Sequence, residues 1–498
     1  MVVPLLLIIA SCTNLDEDIF SSIPKDEFFK SEEQMVKYSA RAYMTLQEWG
    51  TEQSWQTLDM QVGNECCVPT NPTNSWKETR YKELQTHDFP VSNKLIRTAW
   101  DFCFDGIAAC NDVIYEIEKS PIEFDGKNRV LAEMKTVRAF YYFLAADAYG
   151  NIPFSIDKTS TDYPEQKDRL FIFQFIEKEI LDNIDYLANE NTPLYYGRIT
   201  RGAANTLLAK LYLNAQVWLN QPMWDKAEKA AKDVIDSKVY IIEDDFKSNF
   251  TIHNESSREA ILSIPYSSVY TDSDHNAFCL FVLTLSSRLA QALNISDAWD
   301  GFVGQPDFIA SFDENDIRKK ATYLYGQMYG ANGQPIEGYI IEPMFSESKY
   351  NSGRNENEGA ILGKWEFQTD GLLKGNHTSM ENDCFIFRYA DVVLMYVEAL
   401  VRQGKISEAA AVPDFQKIRK RAGLEPFTTG SLDIEAVYNE RSHEMALEGW
   451  RRNDMIRFGK YQDSWWAKPD KTPDYKLLFP IPEERKNSNP KLNQNTGY

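Results

Sequence analysis

Apolar residues recur at intervals of three and four along several stretches of the chain, the spacing of one helical face. Trp100 to Lys119 (WDFCFDGIAACNDVIYEIEK) brings Phe104, Ile107, Ala108, Val113, Ile114 and Ile117 near one stripe. Asn128 to Tyr149 carries Val130, Leu131, Met134, Val137, Phe140, Tyr141, Leu144 and Ala145, and Gly150 is a fitting stop. Thr200–Trp218 and Trp224–Ser237 are predicted as a helix pair broken at Asn220-Gln221-Pro222. Arg388–Arg402 and Ala409–Arg421 form a second pair around Gly404, with Pro413 inside or near the start of its second helix. Glu435 to Phe458 reads as one long last helix.

Leu207 to Tyr240 spans 34 residues, the period of a tetratricopeptide unit. Small residues (Ala204, Ala209, Ala227, Ala230, Ala231) alternate with bulky ones (Leu208, Leu211, Tyr212), which lets antiparallel helices pack and stack on a neighbour. Between about 241 and 385 the stripes fade and Gly, Asn, Ser and Tyr become frequent. Short strand-like runs appear there at 260–264 and 338–341, and Tyr325–Gly338 is rich in turn residues. A second loop-rich zone is predicted from Gly50 to Ser92. The expected fold class is therefore mostly α: a tetratricopeptide-like helical-repeat scaffold with a large irregular, loop-rich region and a few short strands.

Charge narrows the function. Lys and Arg total 53 against 74 Asp and Glu, a net charge of −21. That opposes nucleic-acid binding, which needs a basic footprint, and docking by charge on an anionic membrane. Aromatic residues make up 13% of the chain, enough to leave some over for a binding surface. No GxSxG, HExxH or phosphate-binding glycine loop is present, and the five His are scattered. Catalysis, a cofactor and a metal ion are not expected. Cys103 and Cys110 stand ~10 Å apart along a predicted helix and cannot bridge. The cysteines beyond Cys12 read as buried or unpaired thiols with at most one disulfide.

The N-terminus reads as an address. Residues 2–10 (VVPLLLIIA) are too few to span a bilayer and fit the apolar part of a secretory signal. Ile9-Ala10-Ser11-Cys12 resembles a bacterial lipobox, in which Cys12 would receive lipid such as palmitate. No Lys or Arg precedes the apolar run, a departure from the usual signal. The acidic cluster Asp16-Glu17-Asp18 is similar to the surface-export signal of Bacteroidetes lipoproteins, and equally reads as a solvated tether.

Five further segments carry a family resemblance. They are Ala132–Pro153 (AEMKTVRAFYYFLAADAYGNIP), Arg198–Leu213 (RITRGAANTLLAKLYL), Arg388–Leu400 (RYADVVLMYVEAL), Tyr438–Lys460 (YNERSHEMALEGWRRNDMIRFGK) and Leu478–Tyr498 (LFPIPEERKNSNPKLNQNTGY). In this order they resemble the SusD/RagB family of outer-membrane lipoproteins of starch-utilisation-like systems. The resemblance implies a surface-exposed, lipid-anchored protein in the outer membrane. It implies capture of an oligosaccharide and its delivery to a SusC-like TonB-dependent transporter. A peptide or another nutrient is the alternative ligand, and a glycoside hydrolase a more distant one. The implied organisation is a signal peptide at 1–11, a lipidated acidic tether at 12–30, and an N-terminal part with helix pairs at 31–240. A loop-rich ligand-binding part at 241–385 and a C-terminal helical part with an extended tail at 386–498 follow.

Two roles remain to be placed. Arg441, Glu444 and Glu448 share a face of the last predicted helix, and Asp454 and Arg457 are spaced i, i+3. Buried ion pairs there would serve packing rather than chemistry. A sugar platform needs exposed aromatic rings beside polar side chains. One zone offers Trp55, Asn64, Glu65, Asn74, Trp76 and Tyr81. The other offers Tyr266, Tyr270, Asp272, Trp299, Tyr325 and Tyr329, with Arg354 and Trp365 further on. Trp76, in the polar stretch NPTNSWKETR, is the leading candidate. Trp100, Trp218 and Trp224 are assigned to packing.

Overall fold

The computed structural model describes residues 31–498 except 52, 72–78, 191, 268–283, 296–297 and 370–379. Helices dominate, and among the described residues every strand belongs to a two-stranded pair. Among the described residues no helix is long and apolar enough to cross a membrane.

The helices stack in series. Lys94–Lys119 packs on Lys127–Tyr149, which packs on Arg169–Leu181, and that helix meets Arg201–Leu219. Arg201–Leu219 then pairs with Trp224–Asp236. The predicted boundaries hold to within a residue or two, except that the Lys94 helix begins six residues before Trp100. Local chemistry sets the ends. The Thr200 side chain accepts from the Ala203 N–H, and Asn220 closes the helix with φ 55°. In the Trp224 helix the buried face is Ala227, Ala230, Ala231 and Val234, small enough for a neighbour on either side.

Its second neighbour is far away in sequence. Tyr389–Arg402 packs on Trp224–Asp236, so the stack resumes where it stopped some 150 residues earlier. The intervening excursion is clasped at its root. Ala260–Ile264 pairs antiparallel with Cys384–Arg388, Ile264 opposite Cys384 and Ala260 opposite Arg388. The turn-rich stretch at 325–338 belongs to a β-hairpin, Gly326–Tyr329 against Pro335–Ile341.

Two helical expectations are corrected. The predicted Ala409–Arg421 helix is split into Ile406–Ala410 and Pro413–Arg421, with Pro413 in the first turn where its missing N–H costs nothing. The long last helix is two helices, Ile434–Glu444 and Arg451–Arg457. Between them Leu447 (φ 67°) and Gly449 (φ 83°) are left-handed. A Cβ on Gly449 would lie 2.8 Å from Trp49 Cζ2, so only glycine fits.

Distant side chains satisfy the backbone that this break releases. Lys364 Nζ donates to the carbonyls of Glu444 (3.0 Å) and Ala446 (2.7 Å), and Gln56 Nε2 to that of Leu447 (2.6 Å). Trp55 Nε1 donates to the Gly449 carbonyl at 3.3 Å. The Asp59 carboxylate accepts from the N–H groups of Arg451 and Arg452 at the start of the next helix. Glu65 Oε1 accepts from the Leu447 N–H at 3.0 Å. The zone expected to be loop-rich thus contains a buried helix, Trp55–Val62, that caps the break.

The charges around the break form a closed lattice. Glu444 receives Arg318, Arg388 and Arg421; Glu448 receives Arg388 and Lys364. Arg441 pairs with Asp391 and Asp454 rather than with Glu444 and Glu448, whose carboxylates are taken by the other cations of the lattice. Asp454 and Arg457 do pair at 2.5 Å, as their spacing predicts. Cys66, Cys67, Cys103, Cys110 and Cys384 are buried thiols, and Cys279 lies outside the described residues.

Candidate functional site

The two zones singled out in the sequence meet on one side of the molecule. Cys66–Cys67 pairs with Val303–Gly304, and the Thr70 N–H donates to the Tyr350 carbonyl at 2.9 Å. Asn71 Nδ2 reaches Asp300 Oδ2 at 3.3 Å. Asp300 is also held by the guanidinium of Arg354, whose other nitrogen donates to the Glu358 carbonyl at 2.8 Å. Burial raises the Asp300 carboxyl, and Arg354 opposes that rise. Trp299, half-buried, stands beside this pair.

Tyr325 and Tyr329 share a cavity of about 270 Å³. Tyr325 is half-buried and Tyr329 is 54% exposed. Leu289, Leu293, Leu324, Met328 and Phe367 supply apolar walls, and Lys320 and Gln327 supply polar groups. Gln327 Nε2 donates to the carbonyls of Met328 and Ile336, which fixes the hairpin that carries both tyrosines. Tyr339 braces the same hairpin through Ser286 Oγ at 2.7 Å.

Several predicted site residues are instead structural. Trp55 is buried and stacks on Trp49 with ring centroids 6.1 Å apart. Tyr81 is buried edge-on to Phe302, and Trp365 edge-on to Phe250. Tyr266 is buried with its hydroxyl on the Gln47 carbonyl at 2.7 Å. No face of these rings is open to stack on a sugar. Glu65 is consumed by the helix break, and Asn64 accepts from Arg451 at 3.2 Å. Arg354 is committed to Asp300 and to backbone carbonyls, so it shapes the face from below. Asn74, Trp76, Tyr270 and Asp272 lie outside the described residues. Trp299 and Tyr325 are half-buried and pack against the core, and Tyr329 is exposed.

The sequence reading missed Trp466. It is half-buried and packs edge-on to Phe345 (5.1 Å) and Tyr350 (5.3 Å), joining the face from the C-terminal tail. Its backbone N–H donates to Asp307 Oδ2 at 2.8 Å, next to a left-handed Ala467 (φ 58°). The signal was available: SWWAKPD is a polar stretch with no apolar periodicity, the criterion that selected Trp76.

Among the described residues no group of three or more His, Cys, Asp or Glu is placed to hold a metal ion. Several titratable groups with strongly shifted pKa values belong to the interior. Burial pushes Glu65 up to about 8 and Asp59 to about 7, yet both are bound to backbone N–H groups in the interior. His87 and His443 are held well below their ordinary value by burial.

Comparison with known proteins places this geometry. A family model for the SusD family matches residues 297–498. A second, described as "Starch-binding associating with outer membrane", matches residues 15–213.

The chain belongs to the SusD/RagB family.

Among its SusD-like relatives, starch-binding protein SusD of Bacteroides thetaiotaomicron is 26% identical over 74% of this chain and 73% of its own length. SusD-like protein P2 of Formosa agariphila is 24% identical over 99% and 98%. Surface glycan-binding protein A from Bacteroides thetaiotaomicron, solved in complex with laminarihexaose, shares the fold with a TM-score of 0.74. It is 18% identical over 93% of this chain and 99% of its own. These SusD-like neighbours share the tetratricopeptide-like helical fold.

Proposed function

We propose that this SusD-like protein is a non-catalytic glycan-binding lipoprotein of the outer membrane. It captures an oligosaccharide and passes it to a SusC-like TonB-dependent transporter. The observation that carries the reading is the tyrosine cavity on the excursion face. Aromatic rings there stand beside polar groups, which suits the C–H faces and hydroxyls of sugars. Starch and laminarin binding among the relatives supports the same ligand class. A family description naming outer-membrane association supports the location. The lipobox-like Cys12 and the acidic tether supply the anchor in this reading; both lie outside the described residues.

The cavity also favours binding over hydrolysis. Glycoside hydrolysis uses two carboxyl groups flanking the bond to be cut. Among the described residues, no Asp or Glu lines this cavity.

Screening the full chain on a glycan array, followed by calorimetry with the best oligosaccharide, tests the proposal. Saturable binding with no new reducing ends is expected. Release of reducing ends would make the protein a hydrolase. Binding of peptides in place of every glycan would move it to the alternative ligand class. Crosslinking in membranes should recover a larger barrel protein with it, and recovery of the lipoprotein alone would remove the transporter from the scheme.

A further inference from the structure

The tyrosine cavity departs from the rest of the chain in its charge. The chain carries −21 overall, yet among the described residues the charged side chain lining this cavity is a cation, Lys320. Its neighbour Lys319 is tied to Glu314 at 2.7 Å. Arg288, on the same side of the hairpin, faces Glu356 at 3.6 Å and lies over the Tyr339 ring. Lys320 is exposed, and among the described residues it has no carboxylate within ion-pair distance. Its ammonium sits 5.5 Å from the centre of the Tyr325 ring.

We propose that this cavity takes a sugar ring bearing an anionic group, a uronate carboxylate or a sulfate ester. The inference rests on the glycan-binding reading and deepens it. The C–H face of the ring lies on Tyr329, the exposed aromatic, with Leu289, Leu293 and Phe367 as apolar floor. The anion then meets Lys320. A point charge on a flexible stem suits either oxyanion without imposing one geometry. A neutral sugar would stack equally well, so what Lys320 adds is discrimination. That discrimination has to be local. At ~0.15 M salt, exposed charges more than ~8 Å away are largely screened, and the net negative charge of the chain no longer repels an anion already in the cavity. The volume, about 270 Å³, lies just below the usual range of ligand pockets and suits a short stretch of a glycan.

The test is calorimetry on the full chain with three oligosaccharides of equal length: neutral, uronate-bearing and sulfated. An exposed ion pair predicts ~2–5-fold tighter binding of an anionic ligand than of the neutral one. Lys320→Met should remove that preference, so that the anionic ligands bind the variant no more tightly than the neutral one does. Tyr329→Ala should weaken neutral and anionic ligands together. A preference for uronate alone or for sulfate alone would support the proposal and name the source of the anion. Equal binding of all three by the wild-type chain would overturn this inference and leave the glycan reading standing. So would a preference that survives Lys320→Met. Binding of none would overturn both.

Discussion

Glu444 and Asp300 are both carboxylates facing arginine, and they sit in two different kinds of region. Glu444 is fully buried at the helix break and receives three arginines, Arg318, Arg388 and Arg421. Burial alone would raise it, but these cations hold it well below the usual carboxylate range. Asp300 lies on the excursion face, 22% exposed, with Arg354 as its cation, and there burial wins and its pKa rises. Glu65 completes the series. It is buried with a backbone N–H on one oxygen and no hydrogen-bond partner on the other, and its pKa climbs to about 8. The number of cations within reach, not the presence of a carboxylate, decides whether a buried acid is ionised. The lattice around Glu444 is closed and holds the excursion to the scaffold. The excursion face leaves side-chain surface for a ligand.

The sharpest way to break this contrast is Glu444→Ala. It strands three buried guanidinium groups and should cost about 3–5 kcal/mol, read by denaturant unfolding. A loss below about 1 kcal/mol would mean that the lattice does not hold the two regions together.

Glu65→Gln probes the acid whose cations, Arg451 and Lys364, act on it without an ion pair and do not offset burial. A carboxyl whose folded pKa is raised contributes stability fully present below its unfolded value near 4.5 and lost as pH rises through about 8. Wild type should therefore lose stability relative to Glu65→Gln by about 1 kcal/mol per pH unit between pH 5 and 8. Melting curves of the pair across that range measure it, and a constant difference would refute the raised pKa. The opposite sign holds for Glu444. Its stabilisation is present above pH ~4.5 and disappears as pH falls through its depressed folded value.

Tyr329→Ala addresses the open face. Glycan affinity should fall by ~1–3 kcal/mol, on the scale of aromatic stacking seen for bases. The melting temperature should hardly move, since the ring is 54% exposed. A large melting shift with unchanged affinity would return Tyr329 to the structural class. The smallest effect belongs to Lys178→Ala, which removes an exposed i, i+4 pair with Asp182. A change under ~0.5 kcal/mol is expected, and a larger one would weaken the claim that burial sets the worth of these pairs.

The helical scaffold was legible because periodicity is local. The stripes at 128–149 and 200–237 and the stops at Gly150 and Asn220 are written in adjacent residues, and each produced the predicted element. Order of motifs was enough to reveal the family. What remained hidden depends on contacts between residues far apart in the chain. No pattern within 435–458 announces the break, because Trp55, Gln56, Asp59, Glu65 and Lys364 make it affordable from elsewhere. For the same reason Trp55 and Tyr81, which look like binding aromatics in a polar stretch, became core, while Trp466 went unnoticed. A ring in an irregular segment carries no record of which side faces solvent; that is settled only when the other segments close over it. The sequence alone determined the helical repeats, the family and the acidic balance of the chain. Only tertiary packing decided which aromatic rings stayed open and which cation was left facing a cavity, because burial is a property of the assembled surface and not of any one stretch of chain.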